Sequence, residues 1–270
     1  METVSTARFR FGIAGVALEV DGPEAWLVPL QAAWSAWRPA DGIAVWPVAV
    51  TANADLERPK GPLFEVMPRC LRGRCTLVSA SFRGEVDAEQ QAARLEAHPL
   101  ATPADVGYFL RVTLAVQAFV RGGVLFHAAG VLHHGKGYAF FGLSGSGKTT
   151  AAQFSAPDPV LNDDLLLLWP ETDGWQVYAT PFGKRRGDVH AAPLHALLRL
   201  VKDDAVFLES LPAGRVMAEL VSNTPVLSGD AALLTDVFAR WEAVMTTLPV
   251  CALHFRRDPT FWEVIDAELG

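Results

Sequence analysis

Apolar and polar residues alternate over much of the first hundred positions, a pattern typical of half-buried β-strands. The alternation runs over residues 9–13 and resumes over residues 16–20, which predicts two short strands or one bent strand. Leucine and tryptophan then recur at helical spacing from Leu27 to Trp37, which predicts an amphipathic helix that ends near Pro39. Further strands are predicted at residues 43–50, 63–67 and 76–82.

The pattern is more continuously apolar after residue 100. A helix is predicted over residues 104–120, and Gly122-Gly123 ends it. Two apolar strands, at residues 124–132 and 138–141, are predicted to form a hairpin through His134-Gly135-Lys136-Gly137. The histidines at this turn, His133 and His134, are expected to be solvated.

A short helix over residues 148–154 and a strand from Val160 complete a strand–loop–helix–strand unit. Such a unit predicts parallel pairing of its two strands. The remaining tail is predicted to be mostly helical, with one more buried strand at residues 250–255. Its predicted helix N-caps are Ser210, Ser228 and Asp258, the last followed by Pro259.

The strand–helix connection is the sequence Gly142-Leu143-Ser144-Gly145-Ser146-Gly147-Lys148-Thr149, a complete phosphate-binding loop. Its glycines let successive backbone N–H groups face one anion, and the helix N-terminus adds the positive end of its dipole. Lys148 supplies a charge for the outer phosphates and Thr149 a hydroxyl for Mg²⁺, while Thr150 extends the nucleotide-binding set. A glycine-rich turn without a ligand would give no reason for Lys148 and Thr149. The loop therefore predicts binding of a nucleotide with Mg²⁺.

These elements predict an α/β protein, α+β overall, in two domains. Residues 1–100 would form a strand-rich recognition or assembly domain. Residues 101–270 would form a P-loop nucleotide-binding domain with a helical tail.

Two carboxylates follow the strand that is predicted beside the loop's own strand. Asp163 and Asp164 would then lie at the carboxyl end of the sheet, where open α/β sheets bind ligands. A carboxylate oxygen suits Mg²⁺, and a second carboxylate can accept the proton of an attacking hydroxyl. Capping of the strand end is the alternative interpretation of the pair. The two carboxylates would then divide this work, one holding the metal and the other accepting the proton.

Two further groups are candidates for the same site. His127 lies on the first strand of the hairpin, which returns to the loop. Taken alone, a histidine among apolar neighbours is more often a core residue than a catalyst. The run Gly183-Lys184-Arg185-Arg186-Gly187 offers cations for a transferred phosphate, with Arg185 and Arg186 favoured because a guanidinium presents two donors. A solvated loop is the alternative.

Charge and cysteine content limit the partners and the compartment. The formal charge is −7, which argues against a nucleic-acid partner, and no apolar run is long enough to span a membrane. Three cysteines do not make a disulfide framework, so a reduced, cytoplasmic protein is expected, with Cys70 and Cys75 as ordinary thiols in a hairpin. Zinc at these cysteines would need two further ligands. A homo-oligomer is compatible with the sequence.

The chain resembles the HPr kinase/phosphorylase proteins, whose phosphate-loop domain is similar to that of ATP-dependent phosphoenolpyruvate carboxykinase. The resemblance lies in Leu125-Phe126-His127, in residues 142–149 and in Leu161-Asn162-Asp163-Asp164. It implies catalytic roles for His127, Lys148 and Asp164, with Asp164 as general base, and magnesium binding by Thr149. The tail from Pro193-Leu194 is more similar to HPr-kinase-related proteins found with peptide-modifying enzymes, including the kinases of lasso peptide pathways.

The expected function is thus an ATP-dependent kinase that phosphorylates a hydroxyl, most simply a serine of a protein or peptide. Two alternatives stay open at this point. One is a non-catalytic ATP sensor whose partner affinity depends on the nucleotide, and the other is a small-molecule phosphotransferase. Transfer of phosphate to an acceptor distinguishes a kinase from a sensor.

Overall fold

A computed structural model of the chain describes residues 5–183, 187, 189–227 and 231–270. Contacts divide the chain into two compact units, Met1–Arg121 with Val226–Leu234 and Gly122–Pro225 with Thr235–Gly270. Each unit contains helices and a mixed sheet, so the predicted α/β class is confirmed. No helix of the described residues is both long and apolar enough to cross a membrane.

The first unit consists of β1 (Thr6–Ile13), β2 (Val16–Pro23), α1 (Glu24–Ala33), β3 (Val45–Ala52), β4 (Arg69–Leu71), β5 (Arg74–Val78), β6 (Phe82–Asp87), β7 (Ala92–Ala97) and α2 (Pro103–Val120). Its strands form one sheet in the order β1-β2-β3-β7-β6-β5-β4. The pairs β2–β3 and β3–β7 are parallel, and the other neighbouring pairs are antiparallel. The structure groups helix α2 with this unit, whereas the sequence analysis places it in the second domain.

Helix α2 forms where the sequence predicts it, and side chains cap its N-terminus. The Thr102 hydroxyl accepts a hydrogen bond from the Asp105 N–H, and the Asp105 carboxylate accepts one from the Thr102 N–H, which is a capping box. Asp105 also accepts the N–H of Leu63 at 2.7 Å. The predicted strand at residues 63–67 is therefore wrong: the bond to Asp105 holds Leu63–Glu65 as a short 3-10 turn.

Several boundaries in this unit differ from the prediction. The first helix ends at Ala33, although Trp34 and Trp37 are still buried as its pattern requires. The predicted strand at 76–82 is two strands, β5 and β6, because a bend separates them. Strand β7 escapes prediction because its buried positions include alanines, which carry a weak hydrophobic signal.

Cys70 and Cys75 are joined by a disulfide, so the prediction of free thiols is wrong. The predicted hairpin is confirmed. It brings the two cysteines close enough to bond, because they are paired across β4 and β5 with Cα atoms 4.1 Å apart. Cys70 and Cys75 therefore no longer support the prediction of a reduced compartment.

The second unit contains the glycine-rich segment. Its elements are β8 (Val124–His133), β9 (Lys136–Phe141), α3 (Lys148–Phe154), β10 (Val160–Asn162), β11 (Leu165–Glu171), β12 (Gly174–Ala179), β13 (Ala191–Lys202), β14 (Phe207–Ser210), α4 (Ala213–Ser222), α5 (Leu234–Thr247), β15 (Val250–Phe255) and α6 (Phe261–Leu269). Five of these strands pair in a closed ring in the order β8, β9, β13, β12, β11 and back to β8.

Strands β9, β13 and β15 are parallel neighbours, so their carboxyl ends meet at one edge. Strand β10 was predicted to pair with β9, and this is wrong. Both strands pair with β8, on its two opposite edges, so β8 lies between them. The strand–loop–helix–strand unit exists, but its two strands are second neighbours.

Apolar side chains fix this sheet from both faces. On one face, Phe126 packs against Phe141 of β9 and against Trp241 of α5. On the other face lie α3 and α6. The buried cluster there consists of Ala129, Val131, Tyr138, Phe140, Ala151, Ala152, Ala196, Leu198, Leu200, Leu253, Phe255, Phe261, Trp262 and Ile265.

The tail is less helical than predicted, since β13 and β14 precede its helices. Strand β15 is confirmed with its predicted bounds. The N-caps are not: α4 begins after Pro212 and α6 after Thr260. The Asp258 carboxylate accepts the N–H of Thr260 instead, in the turn before the helix. Ser228 lies outside the described residues.

Replacing Thr102 by Ala should lower the free energy of unfolding by about 1 kcal/mol, because the first turn of α2 loses its side-chain acceptor. Urea denaturation measures the change. Thr102→Ser is the matched control and should stay near wild type. Equal losses in both variants would assign the effect to the threonine methyl group instead.

Candidate functional site

The loop of residues 142–147 connects the carboxyl end of β9 to the first residue of α3. Gly142, Gly145 and Gly147 have φ angles of 138°, 80° and 110°, which other residues rarely adopt. A Cβ atom on Gly147 would also lie 2.7 Å from the ring of Phe255. Conformation and space therefore both require glycine at position 147, and the loop can turn its backbone toward an anion.

Lys148 begins α3 and lies against the loop. Its Nζ donates hydrogen bonds to the carbonyl oxygens of Gly142, at 2.8 Å, and Leu143, at 3.4 Å. Only 8% of the residue is exposed. Burial lowers the pKa of the Lys148 ammonium group, and the negative charge of Asp164 opposes this shift. The loop thus holds a cation that has given up much of its hydration.

The Ser146 Oγ atom is buried and has no hydrogen-bond partner among the described residues. An unpaired buried hydroxyl costs free energy, so it suits a site where a ligand atom supplies the partner. Thr149, on the first turn of α3, is exposed and Thr150 is half-buried. Hydroxyl oxygens such as these, around the start of α3, are hard donors of the kind that Mg²⁺ prefers.

His127 and Asp164 meet beside this loop. The His127 Nε2 lies 3.2 Å from the Asp164 Oδ1, and both side chains are partly exposed, at 39% and 44%. Strand β8 positions His127, which is paired with Leu165 of β11. The backbone N–H of His127 donates a hydrogen bond to the Asn223 carbonyl oxygen at 2.8 Å. The structure therefore brings together three residues that the sequence predicted for one site: His127, Lys148 and Asp164.

The acidic pair lies in a bend between β10 and β11 rather than on an extended strand. Both aspartates are half-buried. The bend is held by Asn162, which is fully buried. Its Oδ1 accepts the N–H groups of Asp164, at 2.7 Å, and Leu165, at 3.1 Å.

The other end of the Asn162 amide holds a second segment. Its Nδ2 donates to the carbonyl oxygens of Thr180, at 2.9 Å, and Phe182, at 2.8 Å. Gly183 follows with a φ of 134°, and a Cβ there would lie 2.6 Å from the Asn162 Oδ1. Sequence reasoning assigned Asn162 no role of its own, because nothing local shows that one amide joins two segments.

The cations predicted after this segment, Lys184, Arg185 and Arg186, lie outside the described residues. Other cations lie beside the loop. A cleft of about 160 Å³ borders Gly147 and Thr150, and its walls include Lys202, Arg256 and Arg257 together with Asp203 and Asp204.

Sequence reasoning missed this cleft, although one signal for it was present. Lys202 ends β13 and Arg256 follows β15, so both stand at the carboxyl ends of strands that run parallel to β9. A basic residue directly after a buried strand is such a signal. The parallel pairing that brings these ends to the loop was not apparent from the sequence.

Replacing Gly147 by Ala should destabilise the protein more than replacing Gly145 by Ala. Both positions have positive φ and share that cost, but only the Gly147 methyl group would meet Phe255, since nothing lies within 4 Å of a Cβ at Gly145. Thermal denaturation of the two variants gives the comparison. Equal melting temperatures would show that the Phe255 contact does not restrict the loop.

Replacing Asn162 by Ala should lower the free energy of unfolding by about 3 kcal/mol or more, because four backbone groups, three of them in buried hydrogen bonds, lose their partner. Denaturant titration measures the loss. Asp163→Asn, at the neighbouring half-buried position, is the control and should cost much less. A small loss at Asn162 would mean that the bend does not depend on this amide.

In comparisons with known proteins, the chain matches no family model and no curated protein. The resemblance to the HPr kinase/phosphorylase proteins therefore remains a prediction from the sequence motifs.

Proposed function

We propose that this protein is an ATP-dependent kinase that transfers the γ-phosphoryl group to a serine hydroxyl of a protein or peptide. One observation carries the proposal: His127, Lys148 and Asp164, from β8, α3 and the β10–β11 bend, converge beside the glycine-rich loop. A loop that only bound nucleotide would need Lys148 but not the histidine–aspartate pair.

The phosphate chain of ATP would lie along residues 142–149. Backbone N–H groups of a glycine-rich loop and of a helix N-terminus favour anions, and the desolvated Lys148 ammonium group adds a charge where few waters screen it. The nucleoside would extend into the cleft beside Gly147 and Thr150. Its cations, Lys202, Arg256 and Arg257, suit the α-phosphate, and Asp203 and Asp204 suit ribose hydroxyls.

Transfer needs an acceptor oxygen stripped of its proton. In the proposed step this oxygen forms a bond to the γ-phosphorus while the bond to the β–γ bridging oxygen breaks, and ADP leaves with that electron pair. The hydroxyl proton goes to Asp164. Hydrogen bonding from the His127 Nε2 would orient that carboxylate, and their partial exposure leaves room for an acceptor side chain.

Magnesium would be held by Thr149 and Asp163, and it would offset negative charge on the β- and γ-phosphates. The acceptor is proposed to be a serine by the resemblance to HPr-kinase-related enzymes. The strand-rich first unit is proposed to recognise the substrate or to support assembly.

Replacing Asp164 by Asn should lower the rate of phosphoryl transfer by about 100-fold or more, since the amide cannot accept the proton. ATP affinity should be kept or rise, because Lys148 and the loop are intact and a negative charge beside the phosphates is removed. The assay is mass spectrometry of serine-containing peptides after incubation with ATP·Mg²⁺, with nucleotide binding measured in parallel by calorimetry. Asp173→Asn, in the exposed turn between β11 and β12, is the matched control.

The outcomes separate the candidate functions. Transfer at the normal rate by Asp164→Asn would remove Asp164 as the base. Tight ATP binding without transfer by the wild-type protein, across serine, threonine and small hydroxyl acceptors, would favour the ATP sensor. Transfer only to small acceptors would favour a small-molecule phosphotransferase.

A further inference from the structure

A second group of metal-ligating side chains lies at the opposite end of the β8–β9 hairpin from the loop. Pairing runs from Ala128 with Phe141, next to the loop, to His133 with Lys136, next to the turn. At the turn, His133 and His134 meet Asp266 of α6. The sequence predicts that both histidines are solvated. For His133 this prediction is wrong, because the residue is buried.

Three ligand atoms converge at this point. The His133 Nε2 lies 3.1 Å from the Asp266 Oδ1, and the His134 Nδ1 lies 3.9 Å from the same oxygen. One ligand atom from each residue lies within 4.8 Å of the others. Tetrahedral metal–ligand bonds of about 2.0–2.2 Å, as in zinc sites, place ligand atoms about 3.3–3.6 Å apart, which lies between the two distances to the Asp266 oxygen.

The other nitrogen of His133 has the partner that a metal-binding histidine usually has. Its Nδ1 makes a close contact with the Asp158 Oδ2. A carboxylate on the far nitrogen fixes the tautomer, so that Nε2 carries the free lone pair, and makes it a stronger ligand. A neutral imidazole has one N–H and cannot donate to Asp158 and Asp266 together.

Stacked rings hold His133 in this orientation. Its ring centroid lies 3.9 Å from that of His134 on one side and 3.9 Å from that of Trp262 on the other. The ligand nitrogen is thus held in place before any ion arrives. His134 and Asp266 keep 72% and 41% of their side chains exposed, which leaves a path for the ion and a face open to water.

An ion pair of His133 with two carboxylates would also explain its contacts with Asp158 and Asp266. Such an ion pair would not explain why His134 lies beside the same carboxylate. His254 shows the contrast: it too lies between two carboxylates, Asp203 and Glu209, yet no second imidazole belongs to that group among the described residues. The second imidazole, converging on the same Asp266 oxygen, is what favours a metal ion.

We propose that His133, His134 and Asp266 bind a divalent transition-metal ion, with Zn²⁺ as the first candidate, and that Asp158 is a positioning residue. Two imidazoles and one carboxylate suit Zn²⁺, Co²⁺ or Ni²⁺ rather than Mg²⁺. Because Asp266 belongs to α6 and the histidines to the hairpin turn, the ion would fasten the C-terminal helix to the sheet. This site is separate from the proposed kinase site and needs no nucleotide.

The test uses the full chain, freed of metal with a chelator and kept without nucleotide. Zn²⁺ titration by calorimetry should show one ion per chain, and Co²⁺ should give the visible absorption of a nitrogen- and oxygen-ligated site. His134→Ala, which removes an exposed ligand, should weaken Zn²⁺ binding by at least about tenfold and abolish the rise in melting temperature that Zn²⁺ causes in the wild type. Asp158→Asn should weaken binding by about 10–100-fold and change the Co²⁺ spectrum.

Two histidine variants serve as controls. His98→Ala, in the first unit, tests for loose binding to any histidine, and His127→Ala tests whether the histidine–aspartate pair near the loop takes the ion instead. Both should bind Zn²⁺ as the wild type does. Absence of stoichiometric binding, or binding that His134→Ala leaves unchanged, would overturn the proposal and assign His133 to an ion pair with Asp158 and Asp266.

Discussion

The site depends on the amide of Asn162. One side chain, with no exposure to solvent, accepts two backbone N–H groups of the β10–β11 bend and donates to two carbonyl groups of the segment at residues 180–182. A buried amide with all four of these bonds made is rigid, and any displacement would leave several polar groups unpaired. The bend it holds separates β10 from β11, which both pair with β8, and presents Asp164 to His127.

The electrostatics follow from that geometry. Lys148 is buried against the loop backbone, and burial alone disfavours its charged form. Asp164 opposes this effect because the bend keeps its carboxylate near. The same carboxylate contacts His127, so its position serves the cation on one side and the imidazole on the other. The bend at Asn162 therefore affects both ATP binding and proton transfer in the proposed mechanism.

The elements that local patterns determine could be predicted. Helix α3, strand β15 and the β8–β9 hairpin lie where apolar runs and glycines indicated, since neighbouring residues decide them. The convergence of His127 with Asp164 was also anticipated, through the motif. What failed depends on partners distant in sequence: β8 lies between β9 and β10, and Asp105 turns Leu63–Glu65 away from a strand. The Cys70–Cys75 bond was within reach of the sequence, because a two-residue turn brings its residues opposite each other.

A glycine-rich loop by itself serves a sensor as well as a kinase, since both must hold a nucleotide. The two differ in what the remaining groups are for. A sensor has no reason to keep a carboxylate partly exposed, oriented by an imidazole and close to the loop lysine, because an exposed acidic group weakens the binding of a polyanion. A carboxylate at this place opposes the binding of the phosphates, and in the proposed kinase it accepts the proton of the acceptor hydroxyl. The proposed kinase mechanism therefore gives this negative charge a function that a sensor would lack.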